Sequence, residues 1–165
     1  MDDEKKIKCV VWDLDDTVWD GILLEEAVKL KPEFMEVIET LDSRGILNSI
    51  ASRNDSDLAM AKLTEFGLDG FFVCPQIGWG AKSASVKAIY ETLNLGIDSL
   101  AFIDDQPFER EEVNFAHPEV FCIAGAGDLL PILDLPQMRP RYSSDEQKHR
   151  RAMYRQEFER KKIEE

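Results

Sequence analysis

The segment CVVWDLDDTVWDG, residues Cys9 to Gly21, runs apolar for the length of a strand and then turns acidic at Asp13, Asp15 and Asp16. Carboxylates at the end of a buried run lose hydration, so they are costly unless something uses them. In extended backbone the side-chain period is 2, and Asp13 and Asp15 therefore emerge on one face. Two like charges about 4 Å apart repel by roughly 4 kcal/mol at an effective dielectric near 20. A positive partner between or beside them is required, and a divalent cation is the natural candidate.

The same strand-length apolar pattern recurs at 46–51, 71–73, 100–103 and 120–123, after the first run at 7–14. Helical patterns lie between these runs, over 33–44, 55–66, 82–95 and 107–116. Strands alternating with helices predict right-handed crossovers and a parallel sheet covered on both faces. The expected fold is α/β and Rossmann-like, with a central parallel sheet of about five strands flanked by helices. Ligands on such sheets bind at the carboxyl ends of the strands. Asp13 and Asp15, Ser52, and the pair Asp104 and Asp105 all stand at those ends. Between Thr17 and Ser52 lie 34 residues, and between Ser52 and Lys82 lie 29. Each gap is nearly filled by one helix and one strand, which leaves no room for a cap domain and only enough for a small flap at 18–31.

At 165 residues the chain fits one core domain, expected over residues 1–138, followed by a basic helical arm at 139–165. The arm opens on a capping-box pattern, Ser143 with Glu146 three residues later. Net charge is −13, which excludes nucleic acid as an expected partner, since phosphate backbones are bound through excess Lys and Arg. The balance is uneven: residues 1–138 hold 11 basic against 27 acidic residues, whereas 139–162 hold 9 against 4. No stretch approaches the roughly 18 uninterrupted apolar residues of a membrane span, and the charged N-terminus lacks the apolar core of a secretion signal. Cys9, Cys74 and Cys122 are odd in number and without CxxC spacing. They read as reduced thiols of a cytoplasmic protein.

A carboxylate can attack a phosphoryl group when it is ionised and oriented, provided that a neighbouring acid protonates the leaving oxygen. Asp13 and Asp15 supply that pair. Phosphoryl transfer is otherwise a matter of positioning and charge neutralisation. Ser52 offers a hydroxyl for this, Lys82 a cation and Asp104 a further carboxylate for a metal. With oxygen ligands and no His or Cys among them, Mg2+ is favoured over zinc. Arg53 and Asn54, next to Ser52, are candidates for substrate contact, and Trp19 is a candidate wall of the pocket.

Taken in order, DLDDT (13–17), NSIAS (48–52), WGAKS (79–83) and AFIDD (101–105) resemble the four motifs of haloacid-dehalogenase-type phosphotransferases. The resemblance implies that Asp13 is a nucleophile forming an aspartyl-phosphate and that Asp15 is the general acid and base. It also implies that Ser52 and Lys82 hold the phosphoryl group. Mg2+ would be bound by Asp13, the Asp15 backbone carbonyl and Asp104, with Asp105 in support. The flanks DLDDTVWDG, SIASRND, LNLGIDSLAFIDDQPFEREEV and LDLPQMRPR are similar to the FkbH-like branch of that superfamily. Members of that branch load a glyceryl unit from 1,3-bisphosphoglycerate onto an acyl carrier protein for polyketide-type assembly. An acidic carrier would dock on Arg139, Arg141, Lys148, Arg150 and Arg151, and Cys74 is the candidate for a thioester intermediate.

Two other readings stand beside this one. A stand-alone magnesium-dependent phosphatase acting on a small phosphorylated substrate or a phosphoprotein needs nothing beyond the four motifs. A non-catalytic interaction module would keep the fold and bind through the arm, but the complete set Asp13, Asp15, Ser52, Lys82 and Asp104 argues against it.

Overall fold

A computed structural model of the chain describes residues 6–139 and 152–159. Its centre is a five-stranded, wholly parallel sheet. The strands are β1 (Cys9–Trp12), β4 (Leu47–Arg53), β5 (Gln76–Gly78), β6 (Leu100–Asp104) and β7 (Phe121–Ala124), in the order β5-β4-β1-β6-β7. Helices α1 (Phe34–Ser43), α2 (Ser56–Glu65), α3 (Lys82–Thr92) and α4 (Pro107–Ala116) make the crossovers. An additional antiparallel pair, β2 (Trp19–Asp20) and β3 (Lys29–Leu30), forms a small hairpin within the segment expected to hold a flap.

The alternation in β1 explains the two-sided burial. Val10 and Trp12 join one apolar cluster with Phe34, Val37, Ile38 and Leu41 of α1 and with Ala59 and Leu63 of α2. Cys9 and Val11 join the other with Val86 and Ile89 of α3 and Val113 of α4. β1 is thus the strand that both layers clamp, and every side chain in it is buried. Trp12 is fixed further by an indole N–H donated to Asn48 Oδ1 at 2.9 Å and by an edge-on contact with Phe34, ring centroids 4.9 Å apart.

The third sheet strand differs from expectation: it lies at Gln76–Gly78, while the apolar run at 71–73 does not enter the sheet as a strand. Residues Asp69–Phe71 form a short 3-10 turn. Phe72 makes a single bridge to Asn48, and Cys74 then takes a left-handed backbone at φ 51° that ends the extension. The run is apolar because Phe72 and Val73 are buried under the sheet edge, and periodicity does not separate that from a strand.

The hairpin is tied to the body by Lys31, whose ammonium is buried and donates to the carbonyls of Gly125 at 2.9 Å and Gly127 at 3.0 Å. Of the basic arm, residues 152–159 are helical, with Tyr154 and Phe158 against the second apolar cluster and Arg155 donating to Gly70 O at 2.6 Å. Arg141, Lys148, Arg150 and Arg151, named as a docking set, lie outside the described residues. Among the described residues no helix is long and apolar enough to cross a membrane.

Gly125 sits where a side chain has no room: an added Cβ would lie 2.8 Å from Thr17 Cγ2 and 3.1 Å from Ile103 Cγ2. Gly125→Ala should therefore destabilise the protein by about 1–3 kcal/mol. Urea unfolding checks this, and an unchanged midpoint would contradict the packing described.

Candidate active site

The site is built where β1, β4 and β6 end. Asp13 follows β1 directly, and its amide donates to Ile103 O of the neighbouring β6 at 2.9 Å, so the backbone is locked at the point where the carboxylate leaves the sheet. Asp104 is the last residue of β6, and Lys82 is the first of α3. Lys82 is 4% exposed and donates to Asp13 Oδ1 at 2.8 Å and to Asp104 Oδ2 at 2.6 Å. One ammonium thus spans two strand ends.

The local sequence aims these groups. α3 lacks a side-chain cap of its own, and Glu112 of α4 supplies it by accepting from the Ser83 amide at 3.1 Å and from the Ser83 hydroxyl. That contact fixes the helix end from which Lys82 projects. Asp104 is held by the Gln106 amide, which donates to Oδ1 at 3.0 Å, while Arg110 donates to the Asp104 carbonyl at 2.7 Å. Thr17 is buried, accepts from the Asp105 amide at 3.1 Å and lies 3.1 Å from Asp13 Oδ2 and 3.2 Å from Asp105 Oδ1. Its single proton serves one acid at a time.

Asp13, Asp104 and Asp105 each offer a carboxylate oxygen, and these oxygens lie within 4.8 Å of one another. Such an all-oxygen set fits a hard divalent cation such as Mg2+. The carboxylate of Asp15 is turned to other work. Its Oδ1 accepts from the Trp19 indole at 2.9 Å and the Leu23 amide at 3.0 Å, and its Oδ2 from the Asn54 amide group at 3.2 Å. Asp13 and Asp15 nonetheless line the same cleft of about 370 Å3, with Asp16, Ile22, Arg53, Lys82, Gln106, Phe108 and Glu109.

Burial dominates the electrostatics. It pushes the Asp13 carboxyl well above its ordinary value, Lys82 pulls it back, and the neighbouring Asp104 charge raises it again. Asp104 is likewise raised by burial, against the pull of Lys82. For Lys82 burial works against the charge, but the carboxylates of Asp13 and Asp104 outweigh it and the ammonium is held more firmly than usual.

The remaining expected residues fall in different places. Ser52 is buried at the end of β4, and its hydroxyl has no hydrogen-bond partner among the described residues. Arg53 lines the cleft, with Nε 3.4 Å from Glu109 Oε2. Trp19 and Asn54, both named for substrate contact, are buried and touch Asp15 instead, which makes them positioning groups in this geometry. Cys74 is fully buried within the second apolar cluster, and the Ser49 hydroxyl donates to its carbonyl at 2.9 Å. Burial also pushes the half-buried Cys122 thiol up to about 11. Thr17, Glu109 and Glu112 were not assigned from sequence. Thr17 was legible only as part of the DLDDT string, and the two glutamates only as helix acids after Asp105.

No family model matches the chain. A human protein, magnesium-dependent phosphatase 1, is 28% identical over 136 residues, covering 70% of this chain and 76% of that protein. The crystallised N-terminal part of a Bacteroides fragilis protein, containing a phosphatase domain complexed with Mg, is 28% identical with a TM-score of 0.66. That match covers 85% of this chain and 42% of the other, so this chain spans less than half of that structure. A haloacid dehalogenase-like hydrolase from Streptococcus pneumoniae superposes with a TM-score of 0.59 at 15% identity, over 78% of this chain and 90% of that one.

The fold is that of haloacid dehalogenase-like hydrolases. Within that fold, the ends that carry Asp13 and Asp104 are those of the central strand, β1, and of its neighbour β6.

The raised carboxyls give a pH signature to the metal-free protein. Between the ordinary value of 3.8 and their folded values, Asp13 and Asp104 keep protons that the unfolded chain has released, so their contribution to stability falls as pH rises through that window. Asp104→Asn removes one of the two acids. In chelator, its stability relative to the native protein should therefore improve as pH climbs from 4 to 8, read by urea unfolding at each pH. A difference that stays flat across the range would contradict the assignment.

Proposed function

We propose that the chain is a magnesium-dependent phosphatase that moves the phosphoryl group of a small phosphorylated substrate first to Asp13 and then to water. The observation that carries this is the convergence of Asp13, Asp104 and Asp105 within 4.8 Å, with the Lys82 ammonium against two of them. Likeness to a magnesium-dependent phosphatase and to a phosphatase domain complexed with Mg supports the same reading.

Asp13 attacks phosphorus through a carboxylate oxygen, and the bond from phosphorus to the leaving oxygen breaks as Asp15 protonates that oxygen. Asp15 then takes a proton from the water that cleaves the aspartyl-phosphate, releasing phosphate and restoring Asp13. The contacts from Trp19, Leu23 and Asn54 fix the Asp15 carboxyl at the wall of the cleft that Asp13 also lines. Lys82 and the Ser52 hydroxyl, which has no partner among the described residues, are the groups available to hold phosphoryl oxygens, and Arg53 adds a second cation to the cleft wall. Bound Mg2+, held by Asp13 and Asp104 with the Asp15 carbonyl and Asp105 in support, would neutralise charge that develops on the phosphoryl group.

Glyceryl loading onto an acyl carrier protein, the reaction of the FkbH-like branch, is the finer reading and rests on the sequence resemblance. It uses the same phosphoryl chemistry but adds a docking surface and a thiol. Cys74 is enclosed in the core, and the likenesses are to phosphatases, so hydrolysis is the reading that these observations favour.

Replacing the nucleophile tests the proposal. Asp13→Asn should lower phosphate release by more than about a thousandfold in Mg2+, because an amide neither attacks phosphorus nor neutralises the cation. Phosphate-release assays on purified native and variant proteins decide it, and a variant within tenfold of the native rate would remove Asp13 from this role.

A further inference from the structure

Glu109 stands in the first turn of α4, on the wall of the cleft beside Phe108 and Gln106, and it is 6% exposed. One oxygen of its carboxylate is crowded with charge: Oε2 lies 3.4 Å from Arg53 Nε and 3.7 Å from Lys82 Nζ. The other, Oε1, is buried and has no hydrogen-bond partner among the described residues. A buried carboxylate oxygen without a donor is costly, and native structures rarely keep one without a use. Lys82 is already engaged by Asp13 at 2.8 Å and Asp104 at 2.6 Å, so it does not relieve Oε1.

The surroundings select what can. A second cationic ligand at Oε1 would be repelled by the ammonium and guanidinium on the other side of the same carboxylate, and an anion would be repelled by the carboxylate itself. A neutral donor meets neither penalty. Resting on the phosphatase reading above, we propose that Glu109 is a specificity-determining residue whose partnerless oxygen, brought to the cleft by a turn of the carboxylate, accepts a hydrogen bond from a hydroxyl of the substrate's leaving group. The substrate class is therefore a hydroxylated phosphoester, a polyol or sugar phosphate, in preference to a plain alkyl phosphate. The cleft volume of about 370 Å3 suits a small ligand of that kind.

Two esters of equal chain length isolate the hydroxyl: glycerol 3-phosphate and n-propyl phosphate, both assayed with Mg2+. The native protein should prefer glycerol 3-phosphate in kcat/KM on the order of tenfold or more, the usual effect of a hydrogen bond to a charged group. Glu109→Leu should bring that ratio close to one. Glu109→Gln, whose amide oxygen still accepts, should keep much of it, and recovery by the conservative variant separates substrate contact from a general loss of folding. Calorimetric binding of both esters to Asp13→Asn, with and without Glu109→Leu, gives the same ratio free of turnover and should collapse in the same way.

Equal kcat/KM for both esters in the native protein, or a ratio that survives Glu109→Leu, overturns the role of Glu109 and leaves the phosphatase reading standing. No phosphate release from either ester by the native protein overturns both.

Discussion

A single buried ammonium organises this molecule's chemistry. Lys82 bridges carboxylates that belong to two adjacent strands, and without it two acids would face each other at the edge of an apolar core. Burial alone drives both carboxyls toward the neutral form, and Lys82 opposes that shift. The arrangement depends on the ends of β1 and β6 being side by side, which the register Trp12 to Ile103 enforces. It depends equally on α3 starting at Lys82, which Glu112 secures from another helix. The acidic cluster is therefore a product of the sheet rather than of a loop, and rigid elements hold such constellations more tightly than loops do.

Around that centre the two halves of the reaction are assigned to different neighbours. Asp13 is gripped by Lys82 and approached by Thr17, both belonging to the sheet-end framework. Asp15 is gripped by Trp19 and Leu23 of the hairpin segment and by Asn54 just beyond β4. The hairpin is in turn pinned by Lys31 to the loop that follows β7. A group that must exchange protons is thus placed by the small flap, while the group that must form a bond is placed by the core. Among the described residues, Ile22 of the hairpin segment and Phe108 at the start of α4 are the apolar side chains that line the cleft.

Much of this was legible in the chain because local pattern and tertiary burial agree. The apolar runs that became β1, β4, β6 and β7 are each flanked by helices whose spacing leaves few topologies open. Acids that end apolar runs marked Asp13 and Asp104 for the same reason that makes them costly. The edge strand was misplaced because β5 is short and only half-buried, while the neighbouring Phe72 and Val73 are buried without being a strand. Trp19, a candidate pocket wall from sequence, instead turns its indole to Asp15, a direction that depends on the hairpin. Glu109 and Glu112 were invisible for a simpler reason: their partners are Arg53, Lys82 and Ser83, and nothing local distinguishes a helix acid that faces a cleft from one that faces water.

The most direct test of the central claim is a crystal structure of the protein grown with Mg2+ and beryllofluoride, a mimic of a phosphoryl group on a carboxylate. The account predicts the metal among Asp13, Asp104 and Asp105, with the fluoride joined to an Asp13 oxygen and Lys82 turned toward it. A cleft that holds neither, with Lys82 still bound to both carboxylates, would contradict it.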